Sequence, residues 1–280
     1  MSAARLLHDH TTVPLSPLLP TLFTGHGAPT YALAPGESGA ALQRFAGQLP
    51  GVRAVLVVTA HWDTPTPAVG GALHPETIHD YWGFPEPLYD ISYPAPGAPN
   101  LAQRIRGLIA EAGLPAHIDP AQGLDHGVWI PARVMFPHAE VPVLPLSIQS
   151  HESPEYHLRL GAALAPLLGE GVLIVASGNL THNLHHFAAA RRTGRIPAYV
   201  PAFQAWMWGV LATNDTAALL DYRRQAPEAT AAHPTDDHLL PLYVALGAAG
   251  ANARAERVYS GISDAVLAMD SFAFWPQPAH

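Results

Sequence analysis

The sequence predicts an α/β fold: a single domain on a mostly parallel sheet, flanked by helices on both faces. Val55–Val58 is a continuous apolar, valine-rich run, which is how a strand covered on both faces reads. Leu18–Phe23 and Gly171–Ala176 repeat that pattern. Segments with helical spacing alternate with these runs, as in βαβ units.

The elements follow in order. Residues 1–17, with Pro14 and Pro17, read as a loose leader, and one domain is expected over 18–280. Leu18–Phe23 is the first strand. Ala40, Ala41, Leu42, Phe45 and Leu49 give Glu37–Leu49 one apolar helical face, and Pro50-Gly51 ends it. The central strand within Val52–Trp62 follows and is expected to stop at His61, because Pro65 and Pro67 cannot continue it. Gly70–Pro99 is rich in proline and carries five aromatics, so it reads as an ordered wall or lid rather than a disordered linker.

Asn100–Ala112 is an amphipathic helix through Leu101, Ile105, Leu108 and Ile109, and Val128–Phe136 is a second helix. Val141–Ile148 is a strand placed near an edge by Pro142 and Pro145. Tyr156–Leu168 is helical, Val172–Ala176 is the third buried strand, and Pro201–Leu211 and Asp215–Tyr222 are helical. Leu239–Leu246 reads as a helix with Thr235 as its cap, and Glu256–Tyr259 with Ala265–Asp270 as a final strand pair. No repeat or composition break divides the chain.

Composition excludes several functions. Fourteen basic against twenty-two acidic residues, with no basic run, argue against nucleic acid or an anionic membrane as partner. The absence of cysteine removes disulfides, thiolate metal sites and cysteine nucleophiles. Neither a signal-peptide layout nor an apolar run approaching about 18 residues is present, so a cytoplasmic protein is expected.

Histidine is the outlier, at seventeen residues. A lone histidine is more often structural than functional, and His8, His10, His74, His117, His138, His157 and His280 lie in polar or terminal settings. Three stand apart because each follows a buried strand among small residues: His26 between Gly25 and Gly27, His61 after Ala60, and His182 after Thr181. In open α/β sheets, ligands collect beyond the carboxyl ends of the strands, so neighbouring strands would bring these imidazoles to one point. His238 could reach the same point from a helix start, and His233, five residues earlier, competes with it. Such a cluster suits a transition metal with open positions.

These motifs, in register from about Leu22 to Gly250, resemble the DOPA-dioxygenase-like, class III extradiol ring-cleaving dioxygenases, relatives of the catalytic subunit of protocatechuate dioxygenases. The residues that carry the likeness are Gly25-His26-Gly27, Ala60-His61-Trp62, Ile78–Pro85, Tyr93–Gly97, Asp125-His126-Gly127, Ser177–Leu184 and Pro234–Leu242. The resemblance implies a mixed sheet and one metal: Fe(II) in the active form, with Zn(II) in protein as isolated. It implies His26, His61 and His238 as metal ligands, with His182 and His233 as alternatives. His182 would be the general base and His126 would point at substrate or dioxygen. Tyr93, His79 and Trp82 are expected to contact the substrate, a small catechol-type molecule cleaved beside its diol with O2. A homo-oligomer is compatible with the chain. A zinc hydrolase using the same histidines, or a non-catalytic binding protein, are the alternatives.

Overall fold

A computed structural model describes residues 18–277. The expected leader, with His8 and His10, lies outside the described residues, as does His280. Among the described residues ten strands form: β1 (Thr21–Gly25), β2 (Ala54–Asp63), β3 (Ala68–Gly70), β4 (His117–Asp119), β5 (Val143–Ile148), β6 (Val172–Gly178), β7 (Arg254–Tyr259), β8 (Ile262–Ser263), β9 (Leu267–Ala268) and β10 (Ser271–Trp275). Eight of them make one sheet in the order β4-β3-β5-β2-β6-β1-β10-β7, and β8 pairs with β9. Its centre, β5-β2-β6-β1, is parallel; β10 and β7 add an antiparallel flank.

The two-residue period of β2 explains why the sheet needs helices on both faces. Val55 and Val57 pack with Leu173 and Val175 against helices Gly36–Gln48 and His126–Met135. Leu56 and Val58 pack with Ile174 against helices Pro99–Glu111, Pro154–Leu164 and Leu240–Ala249. A further apolar cluster joins Phe23, Phe272 and Phe274 to helix Tyr199–Ala212. No helix of the described residues is long and apolar enough to cross a membrane.

Four expectations are corrected. β2 does not stop at His61 but continues to Asp63; what stops is its regular pairing with β5, which passes from Val58↔Leu146 directly to Asp63↔Ile148. The residues between bulge out of the ladder, a device that re-aims side chains beside active sites. β5 is interior, not near an edge. Its proline is tolerated because β3 meets it through one bridge, Val69↔Leu146, and the Ala68 N–H is satisfied by the Ser147 hydroxyl at 2.9 Å. The partner of β7 is β10, whereas Ala265–Asp270 contributes only the short β9. Thr235 caps nothing: the helix begins at Leu240, after a turn in which the Asp236 carbonyl accepts the N–H groups of Leu239 and Leu240.

Segment 71–98 is irregular apart from one isolated bridge, Thr77↔Leu124, and a 3-10 turn at Glu86–Leu88. Leu88 and Tyr93 anchor it in the core while Tyr81, Trp82 and Phe84 face a cavity.

Candidate active site

Strands β2, β6 and β1 are adjacent, so their carboxyl ends deliver three of the singled-out histidines to one region. His26 follows β1, His61 stands on the bulge of β2, and His182 follows β6. His238 arrives from the turn before helix Leu240–Ala249. Asn179 donates its N–H to the His238 carbonyl at 3.1 Å. A Cβ on Gly178 would lie 2.1 Å from that same oxygen, so only glycine permits the approach.

The Nε2 atom of His61 lies 3.0 Å from that of His26 and 3.3 Å from that of His238. The opposite ring nitrogens are tied back. The Ser177 hydroxyl donates to the Gly127 carbonyl, so its oxygen accepts from His26 Nδ1–H at 3.0 Å. His238 Nδ1–H donates to Asp237, and His61 Nδ1 lies 3.5 Å from Asp80 Oδ2. Burial, reinforced by the neighbouring imidazoles, holds His26 and His238 well below the ordinary histidine pKa. Burial and then His126 lower His61 to about 3. All three rings are therefore neutral near pH 7, and the Nδ1 hydrogen bonds of His26 and His238 leave their Nε2 lone pairs directed at Nε2 of His61. Lone pairs this close repel one another, and a cation between them removes the repulsion. The donor set fits a divalent transition metal, with Asp80 and Asp237 behind two of its rings to offset the ion's charge.

Two further imidazoles stand beside this point. His126 opens helix His126–Met135 and is clamped by Asp80, which accepts its backbone N–H at 2.8 Å and its Nδ1–H at 2.9 Å. Burial opposes ionisation of Asp80, but the hydrogen bonds from His126 outweigh it and hold its pKa below the usual carboxylate value. The His182 ring stacks on His238 with centroids 3.4 Å apart. Burial is the largest influence on His182, and its pKa falls to about 4 despite Asp237. These groups form one end of a cavity of about 730 Å³, whose other walls include Pro29, Tyr81, Phe84, Phe187 and Leu267.

The remaining expected site residues lie elsewhere or play other parts. His233 is buried away from the cluster, its Nε2 donating to the Leu180 carbonyl at 2.8 Å, and burial lowers its pKa to about 3. Tyr93 does not reach the cavity: it is 1% exposed and its hydroxyl donates to the Phe136 carbonyl. His79 also stays out, bonding the Ile91 carbonyl at 3.0 Å among Tyr81, Tyr89 and Trp129. Trp82 stands at the cavity mouth. His157, given no site role and read as lying in a polar setting, is instead a buried core residue whose ring bonds Gln149 and Ser153. Sequence reasoning assigned no role to Asp80 or Ser177, although each lay inside a quoted motif. A polar residue inside a histidine-bearing motif was the available signal. Asp125 is a third such residue. It is buried, accepts from Thr59 at 2.8 Å, and is pushed up to about 6 by burial and by Asp80.

Comparison with known proteins identifies the family. Residues 26–269 match the family described as the catalytic LigB subunit of aromatic ring-opening dioxygenase. The chain is 36% identical to a 4,5-DOPA dioxygenase extradiol of Beta vulgaris, over 91% of this chain and 96% of that protein. It is 38% identical to the Escherichia coli K12 protein of the same name, over 82% and 85% of the two chains. The crystal structure of an uncharacterized Escherichia coli K12 protein superposes with a TM-score of 0.75 at 31% identity, covering 91% of this chain and 99% of that one. The chain belongs to the LigB family of aromatic ring-opening dioxygenases and is a metal-dependent extradiol dioxygenase.

Proposed function

We propose that the enzyme uses Fe(II), held by His26, His61 and His238, to open a catechol-type ring beside its two hydroxyls with both atoms of O2. The observation that carries this reading is the convergence of three Nε2 atoms, 3.0 and 3.3 Å apart, at the end of a largely apolar cavity. When bound, Fe(II) supplies Lewis acidity toward the diol and one-electron chemistry toward dioxygen, whereas Zn(II) at the same nitrogens supplies only the first.

The chain's own residues divide the remaining work. His182 is neutral near pH 7, and neither ring nitrogen is hydrogen-bonded among the described residues, so it accepts a proton from a diol hydroxyl. His126 has its Nδ1–H fixed by Asp80, which leaves Nε2 to meet the substrate's oxygens. Tyr81 and Phe84 hold the flat ring and exclude water.

The test is anaerobic reconstitution with Fe(II), followed by oxygen uptake with a panel of catechols. Oxygen consumption with a new yellow absorbance, lost in His61→Ala, is the expected result. Turnover that continues without oxygen would replace the reading with metal-assisted hydrolysis.

A further inference from the structure

We infer that the far end of the cavity is a subsite for an uncharged, apolar substituent on the catechol ring, rather than for a carboxylate-bearing side chain. The inference rests on the ring-opening reading only for where the diol sits, against the imidazole cluster. Away from that cluster the walls include Phe84, Phe187 and Leu267, backed by the small apolar cluster of Ala28, Ala190, Val266 and Met269. Trp82 and Leu184 stand at the mouth, 86% and 61% exposed. Two large apolar side chains held in water at a cavity rim are unfavourable unless something covers them. A substituent extending outward from the ring would cover both.

Charge leads to the same conclusion. Among the described residues no lysine or arginine lines the cavity; its carboxylates, Asp80 and Asp237, stand at the imidazole cluster, and His185 is the one lining imidazole outside that cluster. Arg191 lies on the same helix as Leu184 and Phe187, but it pairs with Asp264 at 3.4 Å. A substrate carboxylate at that end would lose water with no lysine or arginine to pair with. The volume also favours a substituted ring. A cavity of about 730 Å³ is of drug-sized capacity, far more than a bare catechol fills.

Binding is read on the zinc-loaded full chain, where no turnover interferes. Calorimetry compares 4-propylcatechol with 3-(3,4-dihydroxyphenyl)propionate, which has the same length but ends in a carboxylate. The expected preference for the propyl compound is about tenfold or more in Kd. Leu184→Arg, at an exposed position that does not threaten folding, should shift the ratio toward the carboxylate by about tenfold. Equal or tighter binding of the carboxylate by the unaltered protein overturns the subsite. The same two compounds are then offered to the iron-loaded protein with O2. Ring opening that favours the carboxylate also removes the subsite while leaving the dioxygenase reading intact. If neither compound is opened although the binding preference holds, the subsite stands and the ring-opening reading fails.

Discussion

Replacing Asp80 by Asn tests whether the carboxylate behind the cluster governs both the metal and His126. The side chain keeps its size, and Asn Oδ1 still accepts the His126 backbone N–H, so the helix start should survive. The second oxygen becomes an NH2 group and faces His126 Nδ1, now 2.9 Å from Asp80 Oδ2, with donor opposed to donor. The imidazole must then take its other tautomer, placing its proton on Nε2 and removing the acceptor that faces the cavity. The lost charge-assisted hydrogen bond is worth about 1.5–3 kcal/mol, or roughly 10- to 150-fold in an equilibrium or rate constant. The negative charge 3.5 Å from His61 Nδ1 is lost as well, which weakens the basicity of a metal ligand. Zinc affinity, measured by chelator competition, should fall about tenfold, and kcat/KM of the iron-loaded enzyme should fall by about 10- to 100-fold. Circular dichroism should be unchanged. Both quantities remaining within about threefold of the unaltered enzyme would refute the argument that Asp80 orients the site.

Three other outcomes follow from the same geometry. Gly178→Ala places a methyl 2.1 Å from the His238 carbonyl oxygen, so it should destabilise the fold by about 1–3 kcal/mol in urea melts and weaken zinc binding, because the turn carrying His238 must retreat. Zinc at a hundredfold its Kd should stabilise the protein by about 2.7 kcal/mol in thermal melts, an effect abolished in His61→Ala. Burial raises Asp270 to about 6, so the native state keeps a proton that the unfolded chain loses near its ordinary value. That contribution to stability is fully present below the unfolded pKa and disappears as pH rises through about 6, a loss of at most about 3 kcal/mol. Asp270→Asn removes the dependence. The stability difference, mutant minus unaltered protein, should grow between pH 4 and pH 7, and a constant difference would refute the assignment.

The buried strands were legible because a run such as Val55–Val58 has no other comfortable environment, and the histidines that follow these runs inherit their position. Adjacency was not legible: β6 lies between β2 and β1, and only long-range pairing such as Thr24↔Ser177 places His26 beside His61. His233 and His238 share one short segment, and spacing cannot separate them. The Asn179 hydrogen bond and the Gly178 contact bring His238 to the cluster, while the Leu180 carbonyl holds His233 away. In the irregular segment, composition indicated order but not direction. Tyr81 turns to the cavity and Tyr93 to the core, a choice made by the acceptor each hydroxyl finds, Leu88 for one and Phe136 for the other. The final strand was misplaced because Ala265–Asp270 is as apolar as Ser271–Trp275, and only the latter aligns with β7.

The three clustered imidazoles come from distant parts of the chain, His26 and His61 being 35 positions apart and His61 and His238 177 apart. In an unfolded chain the loop-closure entropy of bringing them together is unfavourable, and no local pair forms a ready chelate. Metal capture at the proposed site would thus be a property of the finished fold, following assembly of the sheet. A bound ion then acts as a removable staple between the first and last thirds of the molecule. Slow native-state hydrogen exchange in helix Leu240–Ala249 should accelerate when the metal is stripped, while the amides of β2 and β6 stay protected.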